Sequence, residues 1–392
     1  MNVLVVNAGS STLKYQVIDT KTHKVSAKGS CERVGFTGGT FTHAANGEKK
    51  VTESLEFPDH KVAIEAVLKD LAAHKVKIDG IGHRIVQGGW YFGDSTLVDD
   101  DVLAKIREVA PLAPLHNNPE ANVIDFCLHE YPELPNVTVY DTAFHFDMPK
   151  VASTYALPRD VCDKLHIRKY GAHGTSYRYI AQRVDQITGG RARKVVVCHI
   201  GSGASLCAIQ DGKCADTTMG LTPLDGIMMG TRCGSIDPAT VCYLQREGGY
   251  TFDEVDDMMN KKSGLLAVTG ETNDVRDVEE GAAAGRPAYK LAFDMFVYKI
   301  AAKAAEMATS MGGIDTLVFT AGIGEHAPAV RAGVADRLEW MGVKMDHAMN
   351  ALRAEGEWKL SREGSPVDIY VIPTDEEFMI ASDVERIVSA AK

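Results

Sequence analysis

The chain opens Met1-Asn-Val-Leu-Val-Val-Asn-Ala-Gly-Ser-Ser-Thr-Leu-Lys14 and runs on as Tyr15-Gln-Val-Ile18. Val3 to Val6 is an apolar run that ends abruptly in small and hydroxyl residues, and Leu13 to Ile18 alternates. That pattern predicts strand, tight polar loop, strand. A loop of Gly and Ser turns backbone N–H groups and hydroxyls towards whatever sits above it, and Lys14 adds a cation. Phosphates suit such a place. An ordinary hairpin at a domain edge is the alternative that this segment leaves open.

The opening has an echo. Val5-Val-Asn-Ala-Gly-Ser10 and Val197-Cys-His-Ile-Gly-Ser202 align without a gap, 192 residues apart, and the same offset pairs Asp19 with Asp211 and Lys21 with Lys213. In the second copy Asp211-Gly212 reads as a hairpin turn between Ser205–Gln210 and Lys213–Thr218. The expectation is a duplicated domain, each half starting with strand–loop–strand and facing a shared cleft. Two such hairpins on opposite walls would clamp a nucleotide polyphosphate.

At 392 residues the chain is too long for one typical core, so two domains are expected. A formal net charge of −11 argues against nucleic acid or an anionic membrane as the main partner, since both need a basic face. It leaves room for a local anion pocket. The eight cysteines form no CxxC pair, and several lie in apolar runs, as Cys198 does in Val195-Val-Val-Cys-His199. Reduced, buried thiols fit better than a zinc site or a disulfide framework. No leader-like segment and no membrane-length apolar stretch occurs, so a reducing cytoplasm is the expected home.

Strands and helices alternate, which indicates an α/β protein. Helices are expected at Lys61–His74 and at Ala288–Met311, the latter with Leu291, Met295, Tyr298 and Ala302 as its apolar stripe. Short strands are expected at Val137–Tyr140, Val195–Cys198, Thr316–Phe319 and Ile369–Ile372. Each leads into polar or glycine-containing residues, the arrangement that puts ligands at the carboxyl ends of strands.

Several motifs add chemistry. Phe319-Thr-Ala-Gly-Ile-Gly-Glu325 is a strand leaving into Gly-x-Gly and then a helix, where glycine allows close backbone approach to the adenosine of a nucleotide. His83-Arg84-Ile-Val-Gln-Gly-Gly89 sets a permanent cation beside glycines, either a fork for carboxylate or phosphate or a surface salt bridge. Asp141 ends a strand in Val139-Tyr-Asp-Thr-Ala-Phe-His145, where a carboxylate can orient an attacking oxygen or cap a helix. His173 stands between glycines in Tyr170-Gly-Ala-His-Gly-Thr-Ser176, and Arg232 lies in Met229-Gly-Thr-Arg-Cys-Gly-Ser-Ile-Asp-Pro238. Pro373-Thr-Asp-Glu-Glu377 closes the last strand with three acids, which suit magnesium or a helix N-terminal turn. Together these supply what phosphoryl transfer needs: glycine loops, a metal carboxylate, cations for the equatorial oxygens and an acid near the acceptor.

With these segments assembled, the chain resembles the acetate kinases, of the acetate and sugar kinase/Hsp70/actin superfamily. The matching stretches are Asn7-Ala-Gly-Ser-Ser-Thr-Leu-Lys14, His83-Arg84, Asp141-Thr-Ala-Phe-His145, His173-Gly-Thr-Ser176, Met229-Gly-Thr-Arg232 and Ala321-Gly-Ile-Gly-Glu325. The resemblance runs from Asn2 to the final helix. It implies an α/β fold of two duplicated actin-like, ribonuclease H-like ATPase domains flanking a nucleotide cleft. The N-terminal domain would be residues 1–145, completed by a C-terminal helix 377–392, and the nucleotide-binding domain residues 146–376. The implied reaction is ATP + acetate ⇌ ADP + acetyl phosphate by direct in-line transfer, with Mg²⁺ or Mn²⁺, in a homodimer.

Carried onto matching positions, Asn7 and Glu376 would hold the metal and Lys14 would reach the nucleotide phosphates. Arg84 would bind the carboxylate or acyl phosphate. Asp141 would be the proton donor or acceptor, acting as much by orientation and electrostatics, because a carboxylate is already ionised at neutral pH. His173 and Arg232 would stabilise the phosphoryl group in transit. ATP would be contacted by His199, Ile200, Gly201, Ser202 and Gly203, by Asp274, Val275 and Arg276, and by Gly322, Ile323, Gly324, Glu325 and His326.

The chain departs from the family pattern at a few places. Ala172 stands where the family usually has a Phe that walls the acyl pocket, the other walls being matched by Val86, Leu115 and Pro223. The expectation is a widened pocket that takes propionate or a longer acid at least as well as acetate, unless a neighbour such as Trp90, where Glu is usual, refills the space. Ser202 replaces an Asn of the phosphate loop, which opens the question of the donor, pyrophosphate included. Tyr177 and Gln87 stand where His is common; Gln87 reads as neutral. A non-catalytic ATP-binding module, the reading from another class, would need a substrate domain or a basic helix-turn-helix, and neither pattern is found.

Overall fold

The computed structural model describes residues 1–352 and 355–391. Lys392, the last residue of the expected helix 377–392, lies outside them. Contacts divide the chain into two compact units. Unit 1 comprises Met1–Phe146, Gly174–Ser176 and the segment from Asp375 onward; unit 2 comprises Asp147–His173 and Tyr177–Thr374.

Unit 1 is built on β1 (Asn2–Ala8), β2 (Thr12–Asp19), β3 (Val25–Glu32), β4 (Thr40–Ala45), β5 (Val51–Ser54), β6 (Gly80–Ile85), β7 (Thr96–Leu97) and β8 (Asn136–Tyr140). Their order in the sheet is β5-β4-β3-β2-β1-β6-β8-β7. The apolar run at Val3–Val6 becomes β1, buried on both faces as a central strand must be. Its even-numbered residues Leu4, Val6 and Ala8 join Leu13, Tyr15, Val17 and the helix His60–Ala73 in one core. Its odd-numbered Val3 and Val5 face the other way, onto Ile380, Ala381 and Val384 of the terminal helix Glu376–Ala390. That helix seats closely because Gly82 of β6 lacks a side chain: a Cβ there would lie 2.6 Å from Cγ2 of Ile380.

Unit 2 carries β9 (Lys194–Ile200), β10 (Ala204–Gln210), β11 (Lys213–Thr217), β12 (Thr316–Thr320), β13 (Trp358–Lys359) and β14 (Asp368–Val371), ordered β11-β10-β9-β12-β14-β13. The repeat seen in the sequence is a repeat of topology. In each unit three antiparallel strands are followed by two parallel ones, β3-β2-β1-β6-β8 in the first and β11-β10-β9-β12-β14 in the second. The fold is therefore α/β with a duplicated actin-like sheet. β9 starts and ends 192 residues after β1, as the gapless alignment requires. The hairpins then diverge by one residue: Ala8 pairs with Leu13, whereas Ile200 pairs with Ala204.

Strands predicted at 137–140, 195–198, 316–319 and 369–372 are β8, β9, β12 and β14 within a few residues. The helix expected at 288–311 is Pro287–Ser310, but its buried face is not the predicted stripe. Leu291, Tyr298 and Ala302 are exposed and Met295 half-buried, while Ala292, Phe296, Ile300, Ala304 and Met307 face the unit 2 core. The helix is apolar around most of its circumference, so spacing alone fits two faces equally well. All eight cysteines are free thiols, six of them buried. Among the described residues no helix is long and apolar enough to cross a membrane.

Candidate active site

In unit 1 the chemistry gathers at the carboxyl ends of β6 and β8, which run parallel with Ile85 opposite Tyr140. Asp141 continues β8, and its N–H donates to the carbonyl of Ile85 at 2.8 Å. This pairing delivers Arg84 to Asp141. Arg84 Nη2 donates to Oδ2 at 2.7 Å and Nε to Oδ1 at 3.2 Å, a forked, partly buried ion pair rather than one lying open on the surface. Thr175 Oγ1 donates to the same Oδ1 at 3.1 Å, and the Gly174 N–H to the Asp141 carbonyl at 2.7 Å. Gly174 is needed there, since a Cβ would lie 2.3 Å from that carbonyl oxygen.

Two further carboxylates surround the guanidinium. Glu376 Oε2 lies 3.5 Å from Arg84 Nη2. Burial pushes Glu376 up to about 7, with Arg84 pulling it back and the charges of Asp141 and Glu377 adding to the rise. Glu120, from the helix Pro114–Glu130, is 3% exposed. It accepts from the Val86 N–H at 3.3 Å through Oε2 and leaves Oε1 without a partner. Burial holds it well above the ordinary glutamate range, against the pull of Arg84. Burial opposes the charge of Arg84 too, but Asp141 and Glu376 outweigh it and keep the guanidinium above its usual value. Arg84 Nη1 bonds to none of the described residues, so one face of the fork is left for a ligand anion.

The three acids of Pro373-Thr-Asp-Glu-Glu377 have separate tasks. Asp375 caps the helix, accepting from the Phe378 N–H at 3.0 Å. Glu376 turns to Arg84, while Glu377 lines a cavity of about 370 Å³ with Asn7 and Lys14, which face each other across β1 and β2. Asn7, Glu376 and Glu377 offer only oxygen donors, the set a small divalent cation prefers. Of the two residues of this unit expected to wall an acyl pocket, Val86 is half-buried and Leu115 is 57% exposed at the start of the Glu120 helix.

In unit 2 the second hairpin closes with the Gly201 N–H donating to the Gly203 carbonyl at 3.1 Å, and Ser202 stands exposed at its tip. His199 on β9 stacks on His173, with ring centroids 4.1 Å apart. His173 takes a left-handed backbone (φ 58°) at the N-terminus of the helix Gly174–Thr188. Its Nδ1 lies 2.9 Å from Ser205 Oγ, which also bonds to the buried Tyr177 hydroxyl. Tyr177, unassigned by sequence, thus helps to orient His173 through Ser205; burial raises its phenol well above the usual value.

Gly203 is where His173 and Arg232 meet. A Cβ on Gly203 would lie 3.5 Å from His173 Nε2 and 3.7 Å from Arg232 Nη1. Arg232 donates to the Pro223 carbonyl at 3.1 Å, and no carboxylate pairs with it among the described residues. Burial lowers its pKa, as expected of a guanidinium drawn from water without a counter-ion. Ala172, 3% exposed, belongs to the apolar cluster that includes Met219, Met228 and Met229.

Gly322, Ile323, Gly324, Glu325 and His326 lie within the helix Ala321–His326 that follows β12, so the Gly-x-Gly motif is itself helical. A Cβ at Gly322 would meet nothing within 4 Å, leaving that position open to a flat ligand. The buried Arg331, which sequence reading missed, braces this turn by donating to the carbonyls of Gly324 and Glu325. Asp274 caps the helix Val275–Ala283 and pairs with the exposed Arg276, while Val275 is buried. Glu120, Thr175 and Ser205 also went unread; the polar run Asn117-Asn-Pro-Glu120 was the one signal available for any of them.

The Acetokinase family model matches residues 2–382. Acetate kinase 2 of Clostridium perfringens is 44% identical over 398 residues, covering 99% of this chain and all of that protein. The solved structure of Porphyromonas gingivalis acetate kinase superposes with a TM-score of 0.93 at 38% identity, covering 99% of both chains. A propionate kinase from Francisella tularensis gives 0.92 at 40% identity, with 97% of this chain and 98% of that one covered.

Proposed function

The chain belongs to the acetokinase family, and from that membership we propose that it is a short-chain acyl kinase that phosphorylates acetate and accepts propionate at least as well. It is a phosphotransferase with a carboxyl group as acceptor and ATP as co-substrate. An oxygen of the carboxylate attacks the γ-phosphorus; a new P–O bond forms as the bond to the bridging oxygen of ADP breaks. The acceptor is already ionised, so no proton has to leave it. Catalysis is then positioning and charge stabilisation.

Arg84, with Nη1 open, binds the acyl carboxylate, and Asp141 locks the guanidinium through both remaining donor positions. Arg232 and His173 stabilise the charge spread over the transferring phosphoryl oxygens. The observation that carries this reading is the partly buried Arg232, unpaired with any carboxylate and converging with His173 on Gly203. A cation kept without a counter-ion at a cost in desolvation fits an anionic ligand. Asn7 and Glu376, with Glu377 beside Asn7, would hold a divalent cation such as Mg²⁺, which when bound neutralises phosphate charge. Lys14 reaches the nucleotide phosphates, and the residues of the second hairpin, of Asp274–Arg276 and of Gly322–His326 serve the rest of ATP. We assign the protein to the cytoplasm and to a homodimer on the same family grounds.

Ala172 supports the wider acyl scope. A methyl replaces the usual ring, and the apolar cluster to which Ala172 belongs includes Met219, Met228 and Met229, flexible side chains that adjust readily to a longer chain. One methylene is worth only about 1–3 kcal/mol in such pockets, so a broadened rather than switched preference is expected. The test crosses ATP and pyrophosphate with acetate, propionate and butyrate, trapping acyl phosphate as the hydroxamate. Turnover of acetate and propionate with ATP at comparable kcat/KM is expected. A strong acetate preference sinks the widened pocket, activity with pyrophosphate alone moves the donor assignment, and no hydroxamate with any pair removes the acyl-kinase reading.

A further inference from the structure

The terminal helix Glu376–Ala390 packs on β1, β2, β6, β7 and β8. Further along the same face of the unit 1 sheet, strand alternation dictates what is presented. Leu13, Tyr15, Ala27, Cys31 and Phe41 point into the core, so Lys14, Gln16, Lys28, Ser30 and Thr42 point the other way. The register forms them into two rows. Lys14 stands opposite Asn7 on one side and Ser30 on the other, and Ser30 faces Thr42; Gln16 stands opposite Lys28, which faces Ala44. Lys14 and Lys28 are therefore diagonal neighbours, close enough for one short ligand to span.

Lys50, just before β5, joins the lining of the same cavity of about 370 Å³. No ion pair or hydrogen bond holds Lys14, Lys28 or Lys50 among the described residues. Glu377, at the β1 end, is the one acid in the lining. Three unpaired ammonium groups converging on one concavity repel each other, and they do so in a chain whose net charge is −11. An anion between them relieves that repulsion.

We propose that the face of β2, β3 and β4 is a second anion seat, in which Lys28 and Lys50 join Lys14 to hold a linear condensed phosphate, a chain of two or more phosphoryl groups. Lysines bind phosphate as point charges from several directions, whereas planar carboxylates are matched by the guanidinium fork that this seat lacks. Hydroxyls of Ser30 and Thr42 and the amide of Gln16 supply neutral hydrogen bonds along the floor. Glu377 repels the anion from the β1 end and so biases its length towards Lys28 and Lys50. The cavity volume is that of a small-ligand site. The seat rests on the geometry of unit 1 alone and does not depend on the acyl-kinase reading.

The experiment titrates the full chain with inorganic tripolyphosphate by calorimetry, without divalent cations, and compares it with Lys28→Ala/Lys50→Ala and Lys28→Arg/Lys50→Arg. These exposed positions allow all three proteins to fold, which circular dichroism checks. Binding should weaken about tenfold or more in the alanine variant, the weight of at least one charge-assisted contact, and persist in the arginine variant. If the alanine variant keeps its KM for ATP, the ligand is a free condensed phosphate; if that KM rises by the same factor, the seat serves the nucleotide's own phosphates. Equal tripolyphosphate affinity in wild type and alanine variant, or no binding to wild type, overturns the seat. Equally tight binding of tricarballylate, lost with the same lysines, overturns its assignment to phosphate. Hydroxamate formation, measured alongside, reports on the acyl-kinase reading separately.

Discussion

Three acids lie about Arg84, and the one that sequence reading missed makes the sharpest prediction. Glu120 is buried with Oε1 unpartnered, and burial raises its pKa well above the ordinary value. Its folded pKa exceeds its unfolded one, so the folded state binds the proton more tightly. The associated stability is complete below the unfolded value of 4.5 and is lost as pH climbs from there towards the raised value. Glu120→Gln keeps an oxygen to accept from the Val86 N–H and removes the titration. Melting temperature followed from about pH 5 to pH 8 should fall less steeply in the variant than in wild type. Parallel curves would show that Glu120 is ionised in the native state after all.

Arg84 beside glycines read equally as a surface salt bridge, and only the family resemblance singled it out as a ligand group. Its partner was legible only as an acid at a strand end. That the two form one forked pair follows from the parallel register of β6 and β8, which joins residues 57 positions apart. Glu120 was not legible, because a carboxylate on a helix is normally solvated and spacing does not show which face turns to the interior.

At the scale of elements, two glycines separate packing from chemistry. Gly82 on β6 lies under the terminal helix, where a Cβ would meet Ile380 at 2.6 Å and Val384 at 2.9 Å. Gly203 ends the second hairpin loop, where a Cβ would sit in ordinary contact with His173 and Arg232. Gly82→Ala should therefore cost about 1–3 kcal/mol of stability through overpacking. Gly203→Ala should melt close to wild type yet lose kcat, because its methyl group fills the space beside both His173 and Arg232. Thermal melts and turnover of the two variants should dissociate; an unstable but fully active Gly203→Ala protein would contradict the placement. Strands were easy to read because an apolar run bounded by turn residues has few alternatives. The face of Pro287–Ser310 was not, because Leu291 and Tyr298 on its outer side are as apolar as the residues beneath them.

Across the whole molecule, the order of the chain and the order of assembly disagree. Unit 1 begins at Met1 but takes one wall of its core from Glu376–Ala390, after all of unit 2 has been traversed. Ile380, Val384 and Val388 bury against Val3, Val5, Val137 and Val139, and burial of each such side chain contributes about 1.5–3 kcal/mol. Their sum is comparable to the roughly 5–15 kcal/mol by which a typical protein is stable. Unit 2 has its own sheet and its own apolar cluster, whose described members all come from unit 2. A chain ended after Asp375 should therefore lose unit 1 selectively. Hydrogen exchange should show β1, β6 and β8 opening rapidly while β9, β12 and β14 keep their protection, and tripolyphosphate binding at Lys14, Lys28 and Lys50 should disappear with the sheet that carries them. Native-like protection of β1, β6 and β8 in the shortened chain would mean that the core around Leu4, Val6 and the helix His60–Ala73 holds unit 1 without its last element.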